Sequence, residues 1–332
     1  MHRIKNFSLK NNNTFGIDCR AAEFIEYDSV EELQTLVPEL QGKNVLHVGG
    51  GSNLLFTKDF DGIVLHSRIK GVDIVEQTAD EVLVRVGAAV VWDELVDYAV
   101  GQGWSGIENL SLIPGETGAA AVQNIGAYGT EVKDVIEEVE AVSLSTGELR
   151  TFSNDECQYA YRRSIFKREL KGQYAVVYVR LRLSKVFNPN TAYGNIRQAM
   201  EGRELSAANV RHAIIDIRNA KLPDPKVTGN AGSFFVNPVV TDEQFRQLQA
   251  DYPNMPYYKV ENGYKIPAGW LIEQAGWKGR SMGRAAVHDK QALVIVNLGG
   301  ADADEIVRLS EAVRADVMEI FGVEIKPEVN FI

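Results

Sequence analysis

Cysteine is nearly absent. Cys19 and Cys157 are the only two, far apart and in no CxxC pattern, which excludes a disulfide framework and a zinc knuckle. The histidines, His2, His47, His66, His212 and His288, form neither HxxxH nor HExxH, so no metal is expected. No uninterrupted apolar run approaches the roughly 18 residues that suggest a membrane span, and the opening MHRIKNFSLKNNNTFGID lacks the apolar stretch of a signal peptide. A soluble, cytoplasmic protein is expected. Positive charge is also short: 35 Lys and Arg face 45 Asp and Glu, which argues against a broad nucleic-acid or anionic-membrane surface. A small anion is not excluded, because a few cations, helix N-termini and backbone N–H groups can hold a phosphate against an unfavourable overall charge.

Low-complexity segments, internal repeats and charge blocks are missing too. What is present is an ordinary globular composition over 332 residues, long enough that two or three domains are expected. Ser29 stands at capping-box spacing from Glu32, ahead of Leu33, Leu36 and Val37, which predicts a short amphipathic helix. Asn44 to Val48 reads as a buried strand that empties into Gly49, Gly50, Gly51, Ser52 and Asn53. Val82, Val84 and Val86 alternate as a strand, and Trp92, Leu95, Val96 and Ala99 share a helical face. After them comes a loop of small residues, SLIPGETGAAAVQNIGAYG, at 111–129. Strands resume at Val139 to Leu144 and Tyr174 to Leu183. A helix is predicted from Ser206 to Asn219, then a long irregular loop, KLPDPKVTGNAGSFFVNP, at 221–238. Leu293 to Leu298 reads as a strand. Ile306, Leu309, Val313, Val317, Ile320 and Phe321 form a helical stripe, closed by Gly322. The final VEIKPEVNFI reads as an edge strand, because it contains Pro327.

Gly49 to Asn53 lacks side chains at three successive positions, so its backbone can approach a pyrophosphate; a mere tight turn explains it equally well. GQGWSG at 101–106 spells GxGxxG but follows a helix instead of a strand, and a helix C-cap is the better reading. The PGETGAAAVQNIGAYG segment can lie flat against a planar ligand or simply pack tightly. YAYRRSIFK is a solvated strand end or an anion site. Ser233, in GNAGSFF, reads as a turn serine with no G-x-S-x-G elbow, and a surface salt bridge is the default for Glu328.

Taken in order, GGGSNLLF, SLIPGETGAAAVQNIGAYG, CQYAYRRSIFK, KLPDPKVTGNAGSFFVNP, IPAGWLIEQAG and KPEVNFI resemble the UDP-N-acetylenolpyruvoylglucosamine reductase family across nearly the whole chain, and AYGNI resembles its longer subtype. The resemblance implies an α+β fold: a two-subdomain FAD-binding cradle of the vanillyl-alcohol-oxidase/PCMH type plus a C-terminal α+β substrate-binding domain. Residues 1–70, joined by the strand 323–332, would be the first FAD subdomain, 71–204 the second, and 205–322 the substrate domain. Non-covalent FAD would lie along Gly49, Gly50, Gly51, Ser52 and Asn53 and along Pro114, Gly115, Gly118, Gln123, Asn124, Gly126 and Ala127. NADPH would deliver a hydride to the flavin, which passes it to the enolpyruvyl group of a UDP-sugar in peptidoglycan precursor synthesis. Of the family's catalytic residues, Arg162 and Glu328 match those that stabilise the enolate, Glu328 in its protonated form, and Ser233 matches the proton donor to C2. Tyr193, Lys221, Asn237 and Lys265 match substrate contacts. Val236 departs from the family, where lysine is frequent, and removes one cation near the pyrophosphate. The partners implied are small molecules only, and a monomer is expected.

Two rivals differ in class. An FAD-dependent alcohol oxidase would share the cradle, but such enzymes often tether flavin through a histidine and the glycine loop here has none. A binding protein that had lost the chemistry would lack Ser233, Arg162 or Glu328, and all three are present.

Overall fold

A computed structural model describes residues 1–193 and 195–332; Gly194, in AYGNI, lies outside the described residues. The chain packs as two compact units. One comprises Met1–Phe7, Ala21–Gly51 and Phe60–Ala220, the other Ser8–Arg20, Ser52–Asp59 and Lys221–Ile332.

The first unit opens on a four-stranded sheet ordered His2–Ser8, Arg20–Tyr27, Phe60–Ser67, Val45–Val48, in which the last three pair in parallel. Parallel pairing needs a crossover, and the helix Val30–Leu40 supplies one, burying Leu33, Leu36, Val37 and Leu40. Ser29 caps it, its hydroxyl accepting from Glu32 N at 3.2 Å, while Glu32 reaches back to Asp28 N at 2.9 Å. The second sheet is antiparallel in the order Leu149–Ser153, Ile136–Ser143, Tyr174–Ser184, Glu81–Gly87, Val72–Gln77. Val84, Val86, Val139, Val179 and Leu181 form its core with Leu95 and Val96 of the helix Trp92–Gly101 and with Ala120 and Ala121. Another part of the sheet carries an ion-pair ladder of Arg85, Arg180 and Arg182 on Glu140, Glu138 and Glu137.

The helix Ala207–Lys221 lies within 205–322, the range the resemblance gives to a substrate domain, and groups with the first unit as far as Ala220. Arg211 is one tie, beside the packing of Val210, Ala213 and Ile214 on Ile196 and Met200. Buried at 7% exposure, its guanidinium bonds Asp93 at 2.6 and 3.1 Å and Asp97 at 3.1 Å, and an unpaired charge at such a site would be costly.

In the second unit the helix Ala303–Phe321 packs on the sheet Gly229–Ser233, Val294–Asn297, Ala285–Val287, Ser281–Met282. Its core joins Ile306, Leu309, Val313 and Val317 to Ile295, Phe234, Phe235, Phe15 and Leu55. A smaller sheet is ordered Val239–Val240, Gly263–Lys265, Tyr258–Val260. The chain ends with Asn330–Phe331 parallel to Leu54–Leu55, so the last residues lie beside the segment that follows the glycine loop. No helix among the described residues is long and apolar enough to cross a membrane.

Candidate functional site

The strand Val45–Val48 delivers Gly49 and Gly50 against the second glycine-rich segment. A Cβ built on Gly49 would stand 3.1 Å from Ala119 Cβ and 3.1 Å from Glu116 Oε2, and one on Gly50 would stand 3.4 Å from Gly115 Cα. Gly51 follows at φ +64°, in the left-handed region that glycine enters without strain. The segment 111–129 is not wholly loop as the sequence suggests: Thr117–Gln123 is a helix, and Gly118 is what lets it approach Ala88, where an added Cβ would meet Ala88 Cβ at 2.8 Å. Pro114 and Gly115 lead in, and Gly115 O accepts from Trp92 N at 3.0 Å. Gly49, Gly50 and Gly51 thus present backbone without side chains of their own beside the Gly115 backbone, with Ala119 and Glu116 the side chains nearest Gly49. That is the surface a dinucleotide's pyrophosphate requires, and the residues fit FAD on that observation.

Beyond Gln123 the helix ends on Asn124 at φ +47°, whose amide donates to Glu131 Oε2 at 2.9 Å and to Ala160 O at 2.8 Å. Arg162 sits on the following turn. Its Nη1 donates to Asn124 O at 3.2 Å and its Nη2 to Gly126 O, and a Cβ on Gly126 would come within 2.9 Å of Nη1. The backbone of Arg162 is itself left-handed at φ +54°, a conformation held by its setting at a cost to a non-glycine residue. Arg163, its neighbour, pairs instead with Glu169 at 3.6 Å. Gly126–Ala127 pairs with Thr130–Glu131. Tyr193, 40% exposed, lies over Gly129, where an added Cβ would meet its own Cβ at 3.4 Å.

The second unit carries the other predicted residues. Ser233 ends the strand Gly229–Ser233 after a register shift and Gly232 at φ +67°. It is no turn serine: it pairs with Val294 and stands exposed, while Phe234 and Phe235 behind it are fully buried and anchor the backbone. Glu328 N donates to Phe234 O at 2.8 Å, and Val236 N donates to Lys326 O at 2.9 Å, so Ser233 and Glu328 lie on adjoining backbone runs. Asn53 joins them: its amide donates to Glu328 O at 3.4 Å, and its carbonyl accepts from Asn330 N at 3.1 Å. Ser52 precedes it in the same unit. Asn237 spends its carbonyl oxygen on Ala268 N, 2.9 Å away at the start of the helix Ala268–Gln274. Lys265 extends its ammonium toward the Tyr258 ring, 5.7 Å from the centroid, and Lys221 is exposed at the end of its helix.

Sequence reasoning missed a half-buried polar group in the first unit. His66 joins Glu26 and Glu116 at 3.1 Å each, and Tyr27 OH lies 2.7 Å from His47 Nε2. Burial, then the charge of His66, pushes His47 down to about 4, and burial raises the Tyr27 hydroxyl. Only pairing could have signalled these residues, since no local spacing marks them.

Two families of sequence match. An FAD binding domain matches residues 21–153, and the C-terminal domain of UDP-N-acetylenolpyruvoylglucosamine reductase matches residues 224–332. With the α+β fold and the paired glycine segments, these make the chain an FAD-dependent oxidoreductase. A UDP-N-acetylenolpyruvoylglucosamine reductase of Bacteroides fragilis is 56% identical over 98% of this chain and 99% of its own, and one of Flavobacterium johnsoniae is 46% identical over 98% of each. The crystal structure of UDP-N-acetylenolpyruvylglucosamine reductase from Thermus caldophilus shares the fold at a TM-score of 0.70 and 24% identity, covering 99% of this chain and 98% of that one. The chain belongs to the UDP-N-acetylenolpyruvoylglucosamine reductase family.

Proposed function

We propose that the chain reduces UDP-N-acetylglucosamine enolpyruvate to UDP-N-acetylmuramate at the expense of NADPH, a step of peptidoglycan precursor synthesis, acting as a cytoplasmic monomer on small molecules alone. The observation that carries the reading is the backbone hydrogen bond that sets Glu328 beside Phe234, next to Ser233, so that the matched acid and the matched proton donor come from adjoining backbone runs. FAD, when bound, supplies the hydride transfer, which no protein side chain can perform. The chain's own residues do the rest.

The loop from Gly49 to Asn53 and the segment from Pro114 to Ala127 receive the cofactor through backbone. Addition of hydride at C3 of the enolpyruvyl group puts negative charge on C2 and the adjoining carboxylate. Arg162, its guanidinium plane fixed by two carbonyls, donates to that carboxylate. Glu328 helps only as the protonated acid, since a carboxylate would repel the developing charge. Ser233 gives C2 its proton; a hydroxyl is a weak acid, adequate here because the carbanion it meets is a strong base. Tyr193, Lys221, Asn237 and Lys265 bind the sugar nucleotide, Asn237 through its amide nitrogen because its oxygen caps Ala268.

The test is anaerobic. Flavin absorbance is followed as NADPH is added, then as UDP-N-acetylglucosamine enolpyruvate is added. Bleaching followed by rapid recovery is expected. Bleaching without recovery would assign the chain another electron acceptor, and a protein that cannot be reconstituted with FAD would overturn the reading.

A further inference from the structure

Three titratable side chains meet beside the first glycine loop and have no part in the chemistry above. His66 Nδ1 lies 3.1 Å from Glu26 Oε1 and its Nε2 lies 3.1 Å from Glu116 Oε1. All three are largely sequestered, with side-chain exposures of 18, 21 and 13%. An ionised carboxylate only accepts, and a neutral imidazole has a single N–H, so the ring serves both carboxylates only as an imidazolium. Glu116 also leans on the loop: its second oxygen, Oε2, stands 3.1 Å from the position of a Cβ on Gly49, and its Cγ stands 4.0 Å from one on Gly50. A carboxylate at that place sets a negative charge against the backbone that is to receive phosphates.

We propose that His66 is a positioning residue for the flavin pyrophosphate: as an imidazolium it holds Glu116 and cancels a charge that would otherwise oppose the phosphates across Gly49 and Gly50. This rests on the reading of that loop as the pyrophosphate seat. The groups that face the ring act in both directions. Glu26, on the neighbouring strand, is shared with His2 at 3.7 Å and Arg68 at 3.6 Å. His47, on the other neighbouring strand, is held by Tyr27, and Phe24 lies with its ring centroid 6.1 Å from that of His66. Burial works against the charged ring, but the hydrogen bond and charge of Glu116, then those of Glu26, outweigh it and raise His66 above the ordinary histidine value of 6.5. The clamp is therefore complete below that value and is lost as pH rises through the folded-state pKa, where two carboxylates must share one N–H.

The experiment measures FAD affinity of the apoprotein by quenching of flavin fluorescence, from about pH 6 to about pH 9. The wild-type protein should lose affinity as pH rises. His66→Gln should bind about tenfold more weakly at the acid end and show no pH slope. Glu116→Gln should bind at least as tightly as wild type, also without slope, and the double variant should recover what His66→Gln loses; a merely structural histidine would not be rescued this way. Wild-type affinity and slope in His66→Gln, or no recovery in the double variant, overturns the proposal. Gly50→Val separates the two readings. If it abolishes binding while His66→Gln binds normally, the loop assignment stands and the clamp falls; if it leaves binding unchanged, both fall. Should His66→Gln fail to fold, Glu116→Gln decides alone: a lowered His66 pKa by NMR with a flat binding profile supports the clamp, and an unchanged slope overturns it.

Discussion

Ser233 and Arg162 are held in different ways, and the difference sets what each substitution should do. Ser233 is fixed through its backbone, between buried Phe234 and the pairing to Val294, so its hydroxyl can be removed without disturbing the strand. Ser233→Ala should leave NADPH-driven flavin reduction nearly intact and slow substrate-driven reoxidation by about 10²- to 10⁴-fold, read by anaerobic stopped flow. Equal losses in both half-reactions would count against proton donation. Arg162 is fixed through its side chain, by the carbonyls of Asn124 and Gly126. Arg162→Lys keeps the charge but cannot reproduce the two-armed geometry, and should slow the same second step by about 10²-fold. A variant with wild-type reoxidation would remove Arg162 from the mechanism. At this scale Ser233, Arg162 and Glu328 are singled out only through ordered motifs; spacing alone reads them as a turn, a strand end or anion site, and a salt bridge. His66 was not legible at all, because its two partners come from a strand and a loop far away in sequence.

Elements were easier to read where periodicity and termini agree. Ser29 and Glu32 announce the helix Val30–Leu40, and Gly322, at φ +63°, closes Ala303–Phe321 as its sequence suggests. Ile320 departs from the expected stripe, 48% exposed, because Val313, Val317 and Phe321 already hold the buried face. Where small residues dominate, the signal fails. Thr117–Gln123 read as loop since Gly and Ala leave no apolar period, and its helicity comes from tertiary packing on Ala88. Gly118→Val, which forces a side chain into that 2.8 Å gap, should cost about 1–3 kcal/mol in urea unfolding and lower bound flavin; an unchanged midpoint would mean the segment shifts freely. In the second unit, Asp302 and Glu305 form a full capping box at the start of Ala303–Phe321. Asp302→Ala should cost about 1 kcal/mol by the same measurement, with flavin content unaffected.

Across the first unit as a whole, two histidines on neighbouring parallel strands make opposite demands on pH. His47, held at about 4 by burial and by the charge of His66, stays neutral in the fold while the unfolded chain takes a proton near 6.5. Stability from this group is complete above about pH 6.5 and falls as pH drops toward 4, by about 3 kcal/mol in all. His66, raised above 6.5, contributes stability that is complete below that value and is lost as pH rises through its folded pKa. The carboxylates add to the acid side only further down: burial opposes Asp93 and Glu140, but their arginine partners keep both below the usual range, so their share is present above the ordinary carboxylate pKa and is lost below it. Unfolding measured across pH should therefore peak near neutrality, with an acid limb that begins at about pH 6.5, earlier than carboxylates alone would start it. His47→Gln, which keeps a polar partner for Tyr27, should remove the upper part of that limb and leave the alkaline limb in place. An acid limb of unchanged slope between about pH 6.5 and about pH 5 in that variant would assign the loss to other groups.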